Sequence, residues 1–177
     1  MNPIKLWRAL FLPKSNGWSN NEVRQADILL LFTFIAFFVG VYSLIKWTKH
    51  EEQLLIATSV FLIAFELISA LLLRVTSKPS LALNFGFVGM AVHALNIIYQ
   101  SGGVVASTQA YWVPLLVVAF FLSGTRIVAL VWSGLVIGVS LVMTSAHLNG
   151  FAFPLLELTP DAVVVETWSG VIMPLVV

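Results

Sequence analysis

Ser101–Arg126 reads SGGVVASTQAYWVPLLVVAFFLSGTR. It begins as an uncharged loop with Gly102, Gly103, Ser107, Thr108 and Gln109. Tyr111, Trp112 and Pro114 follow, then an unbroken apolar run, then a turn at Gly124 and Arg126. Aromatic residues at the edge of an apolar run favour the boundary between water and lipid. An uncharged loop of this kind, set between two apolar segments, has the chemistry to receive something at that boundary.

The surrounding sequence has the same character. Of 177 residues, 59% are hydrophobic and 10% are charged, against about 25% charged in an average soluble domain. The apolar residues fall in runs rather than at amphipathic spacing, which is the pattern of membrane-spanning helices. Six such runs can be drawn: Asp27–Trp47, Gln53–Leu73, Leu81–Tyr99, Thr108–Gly124, Arg126–His147 and Asp161–Val177. Each is close to the ~20 residues that cross ~30 Å of hydrocarbon. Backbone groups in lipid must be satisfied within the segment, so the runs are helices and not strands. The expected fold is an all-α, polytopic bundle, with helices at about 20–47, 53–73, 80–99, 108–124, 126–147 and 161–177. Residues 1–18 form a leader and 19–177 the membrane domain.

Basic residues orient the expected bundle. With a cytoplasmic N-terminus, the inner side collects Lys5, Arg8, Lys14, Arg24, Arg74, Lys78 and Arg126, and the outer side only Lys46 and Lys49. Six spans return the C-terminus to the cytoplasm, in a bacterial inner membrane. Pro3–Leu12 mixes Trp, Leu and Phe with Lys5 and Arg8, as in a short helix lying among headgroups. Ser19 and Glu22 match a capping box, which starts the first long helix near Asn20. The last apolar run reaches Val177 without a basic stop, so the chain is expected to continue into a cytoplasmic effector. The total charge of +1 indicates no partner, and the absence of cysteine excludes disulfides and thiol chemistry. No cleavable signal peptide is evident.

Ionisable side chains within spans are costly, so each is a functional candidate. His93 lies roughly 9 Å below Tyr99, and Glu166 roughly 8 Å beyond Asp161, at ~1.5 Å rise per residue. The expected site is therefore a pocket of His93, Asn96, Trp112 and Glu166, roofed by the Ser101–Gln109 loop with Ser107 and Gln109. The competing reading is structural. His93 and Asn96 then hydrogen-bond across helices for about 0.6 kcal/mol on average, and Trp112 is an interfacial belt residue. Glu66, deeper in its helix, reads as a packing residue, either neutral or paired with a donor such as His93 or Asn84. Gly134 and Gly138 form a GxxxG, which brings helices close; packing inside the bundle is the favoured reading over a seam between subunits. No HExxH, GxSxG, P-loop or metal-ligand set appears. No catalytic residue, metal, cofactor or nucleic-acid partner is therefore expected; the expected partners are the bilayer and a small lipophilic ligand.

Ser101-Gly102-Gly103, Ser107, Trp112, Pro114, Gly124, Arg126 and Trp132 together resemble the six-helix N-terminal input module of bacterial membrane sensors, above all sensor histidine kinases. That pattern has [T/S]GG-x-x-S after the third helix, W-x-P opening the fourth and G-x-R before the fifth. Leu10–Pro13 and Pro174 are similar as well. The chain departs from it at Ala106-Ser107-Thr108, where Ser-Pro is common, and at Thr125 before a single Arg126. The resemblance implies a sensory input domain that relays an external or membrane-borne signal to a cytoplasmic output domain, with homodimerisation through the full-length protein. Input domains of chemoreceptors and diguanylate cyclases are alternatives. A transporter is a further one, although no inverted repeat is visible between 27–99 and 108–177.

Overall fold

The computed structural model describes residues 2–13 and 18–156. The described residues are all-helical: α1 Pro3–Phe11, α2 Asn20–Lys49, α3 Gln53–Thr76, α4 Pro79–Gln100, α5 Gly103–Ala106, α6 Trp112–Ser123 and α7 Arg126–Leu148. Four of these, α2, α3, α4 and α7, are long and apolar enough to cross a membrane. The segment 161–177, with Glu166 and Pro174, lies outside the described residues.

Local chemistry sets the boundaries. Ser19 caps α2 through a reciprocal capping box with Glu22, so the helix begins at Asn20 as the sequence predicts. α2 and α3 then run past their apolar stretches, to Lys49 and Thr76. Helix hydrogen bonding has no reason to stop where hydrophobicity does, and α3 stops only where Ser77 turns left-handed. Thr125 caps α7 by accepting from the Val128 N–H.

The largest departure from expectation is the segment drawn at 108–124. Its helix begins only at Trp112 and has 12 residues, about 18 Å at the helical rise, short of the ~30 Å hydrocarbon thickness. Side-chain hydrogen bonds of Ser107 and Gln109 hold the preceding residues in turns instead. Such local bonds compete with helix formation.

Hydropathy alone does not give the packing. α4 is central, with 56% of its apolar window buried against 22% for α7. α2, α3, α6 and α7 all pack on it, and α2 also meets α6. Phe87 on α4 meets Phe120 on α6 and Trp132 on α7, and Trp132 Nε1 donates to Asn84 Oδ1 at 2.8 Å. These contacts place the end of α6 and the start of α7 beside the first half of α4. Trp112, at the start of α6, lines a cavity with His93 and Ile97 in the second half of α4. α6 is thus antiparallel to α4. At the Asn84 end, α1 lies against α2: Trp7 Nε1 donates to Thr33 and Arg8 pairs with Asp27 at 2.6 Å. Arg74 donates to the Leu10 carbonyl there. Leu31, Phe38, Val60, Leu71, Leu130, Leu141 and Val142 point outward, as suits a lipid surround.

Among the described residues, no atom of another element lies within 4 Å of where a Cβ would stand on Gly134 or Gly138, so their GxxxG makes no close helix contact there. The close approach falls instead at Gly89, where a Cβ would come within 2.9 Å of Phe65 Cβ on α3.

Candidate functional site

Buried polar groups gather at the His93 end of the bundle. His93 is 4% exposed and engaged at both ring nitrogens. Nε2 lies 3.0 Å from Ser43 Oγ on α2, and Nδ1 3.2 Å from Thr58 Oγ1 on α3. Ser59 Oγ lies 3.0 Å from Ser43 Oγ and 2.7 Å from the Leu55 carbonyl. Asn96 Nδ2 donates to Thr58 Oγ1 at 3.0 Å and to the Leu54 carbonyl at 3.3 Å.

These distances orient the chain of hydrogen bonds. Ser59 donates to Ser43 as well as to the Leu55 carbonyl, and the Thr58 hydroxyl donates to the same carbonyl at 3.4 Å. Thr58 therefore accepts from Asn96 and from His93 Nδ1–H, and Nε2 accepts from Ser43, whose other partner is the Ser59 proton. Both ring nitrogens are then satisfied, and α2, α3 and α4 are tied through one imidazole.

A second cluster is built by the loop. Gly102 and Gly103 have φ of 102° and 73°, and a Cβ on Gly103 would lie 2.8 Å from the Phe153 ring. Only glycine fits there without strain. The turn it permits brings the Ser101 and Ser107 hydroxyls into contact, and Ser107 Oγ accepts from the Gln109 backbone N–H at 3.0 Å. Gln109 Oε1 accepts from Tyr111 OH at 3.0 Å and from Trp112 Nε1 at 3.2 Å. Gln109, buried at 5% exposure, is the hub that fixes both aromatic rings at the start of α6.

Between the two clusters, α2, α4 and α6 line a half-open cavity of about 120 Å³. His93 and Ser43 form its polar flank, Gln109, Tyr111 and Trp112 its roof. Phe32, Ile35, Ala36 and Val39 line it from α2, and Leu115 and Ala119 from α6. Lys46 stands at the rim with Nζ 4.1 Å from the Trp47 ring centroid.

Three predicted site residues, His93, Gln109 and Trp112, therefore share one cavity. Asn96 does not join them: its amide is turned to α3, where it holds Thr58 and the Leu54 carbonyl. Ser107 is committed to the loop and does not line the cavity. Glu166 lies outside the described residues. The sequence reading missed the whole α2 wall, above all Ser43, Lys46 and Trp47. Ser43 and Lys46 stand three positions apart in an otherwise apolar helix, which is one face of an α-helix. That was the available signal.

Glu66 lies apart from this site. It is fully buried, and among the described residues neither carboxyl oxygen has a hydrogen-bond partner. The expected donors are taken: His93 by Ser43 and Thr58, Asn84 by Trp132 and the Ser80 carbonyl. Glu66 packs against α4 where that helix is smallest; a Cβ on Gly86 would stand 3.3 Å from Oε2. Among the described residues, no three His, Asp or Glu side chains gather as a metal site.

No family model, curated protein or solved structure matches this chain.

Proposed function

We propose that the chain is the membrane-embedded sensory input domain of a bacterial signal-transduction protein, of the kind that precedes a sensor histidine kinase domain in the cytoplasmic membrane. The observation that carries this reading is the cavity itself. It lies between three helices rather than within one, and its polar flank is the imidazole that ties α2, α3 and α4 together. A signal is transmitted only when it binds two conformations unequally. An occupant here would change the separation of α2 from α6, and α6 is a short helix held by a turn-rich loop. The reaction chemistry of such a protein belongs to its output domain. A small lipophilic molecule is the corresponding partner, and the full-length protein acts as a homodimer.

The test uses the full-length protein in its native membrane. His93→Ala and Trp112→Ala are each expected to shift the stimulus–response curve of the output activity at normal expression and insertion. Unchanged curves in both variants would remove the cavity from the signalling route.

A further inference from the structure

The cavity's size and its remaining hydrogen-bonding capacity define a ligand class. Pockets for drug-sized molecules run about 300–1,000 Å³; this one is half open, and its space of about 120 Å³ seats one ring and would leave the rest of a fused polycycle or a long acyl chain outside. It is close to the ~150 Å³ apolar cavity that holds a single benzene ring in another protein. Aromatic and thioether side chains surround it, among them Phe32, Trp47, Met90 and Trp112, and these favour edge and face contacts with a ring.

The polar flank adds a constraint. Ser43 Oγ accepts from Ser59 and its own proton goes to His93 Nε2, so what Ser43 can still offer is a lone pair. A complementary occupant brings a hydrogen-bond donor. The geometry points to a single-ring aromatic molecule bearing one hydroxyl, a simple phenol, with its ring between α2, α4 and α6 and its O–H donating to Ser43 Oγ. This deepens the sensory reading, from which it takes its biological meaning.

Binding is measured by titration calorimetry on the 177-residue chain in lipid nanodiscs, with empty nanodiscs subtracted to remove partitioning. Phenol and p-cresol are expected to saturate one site per chain, while 1-naphthol and decanoic acid give no saturable heat and do not displace phenol. Ala36→Phe, which places a ring in the cavity, is expected to abolish binding. Ala119→Leu serves as a second filling variant should the first lose its helical content. Ser43→Ala is expected to weaken phenol about tenfold, the scale of one buried hydrogen bond, and to leave toluene within about twofold.

Phenol heats equal to those of empty nanodiscs would overturn the inference. So would displacement by decanoic acid, or equal losses for phenol and toluene in Ser43→Ala. Phenol binding without any effect on output would retire the sensory reading alone. A signalling response that needs the cavity, with no phenol binding, would retire this inference alone.

Discussion

At the residue scale, His93 is both a tie between helices and part of a cavity wall. Its two nitrogens are used in holding three helices together, and one flank of the same ring still borders the cavity. Removing a partner should therefore be felt in both stability and site. Thr58→Val keeps the shape of the side chain but leaves His93 Nδ1 and Asn96 without their shared hydroxyl. Cross-helix bonds in membranes average about 0.6 kcal/mol, and a stranded buried polar group costs about 1–3 kcal/mol. The expected loss is about 1 kcal/mol in detergent-titrated unfolding, with a change in the His93 ring-nitrogen resonances. An unaltered unfolding midpoint together with unaltered resonances would show that this hydrogen-bond chain is not formed.

At the scale of elements, the loop from Ser101 to Tyr111 does what hydropathy could not foretell. A run that looks long enough to span becomes a turn-rich roof and a 12-residue helix. Gly102 and Gly103 were visible as glycines, but the reason for them was not: the φ of 73° at Gly103 and the Phe153 ring pressed against it arise from residues fifty positions apart. Gly103→Ala is expected to destabilise the loop by about 1–2 kcal/mol from the left-handed backbone alone. It should raise hydrogen exchange across residues 103–111 while leaving α2 and α3 protected. Exchange unchanged across the loop would mean that it tolerates a side chain there and that Gly103 is not what shapes the roof.

Over the whole molecule, composition and apolar run length were enough to read an all-helical membrane protein, because the cost of unpaired backbone in lipid leaves few alternatives. The capping box at Ser19 was equally readable, being local. Half of the candidate site was readable too, since His93, Gln109 and Trp112 carry polar or aromatic groups where apolar ones would suffice. The α2 wall was not. Ser43 is an ordinary serine until α3 and α4 are placed beside it, and which face of α2 turns inward is decided by packing rather than by hydropathy when every face is apolar. Gly134 and Gly138, a familiar spacing, meet no neighbour within 4 Å among the described residues.

If occupancy of the cavity between α2, α4 and α6 sets the signalling state, as proposed, filling that space covalently tests it without any ligand. In the full-length protein Ala36→Phe puts a ring where the stimulus would sit, and output-domain autophosphorylation is then measured alongside wild type at matched insertion and helical content. Basal activity is expected to shift severalfold, on the order of the 5–150-fold of ordinary allosteric coupling, and to become insensitive to further stimulus. Wild-type basal activity with a wild-type stimulus response would overturn the proposal.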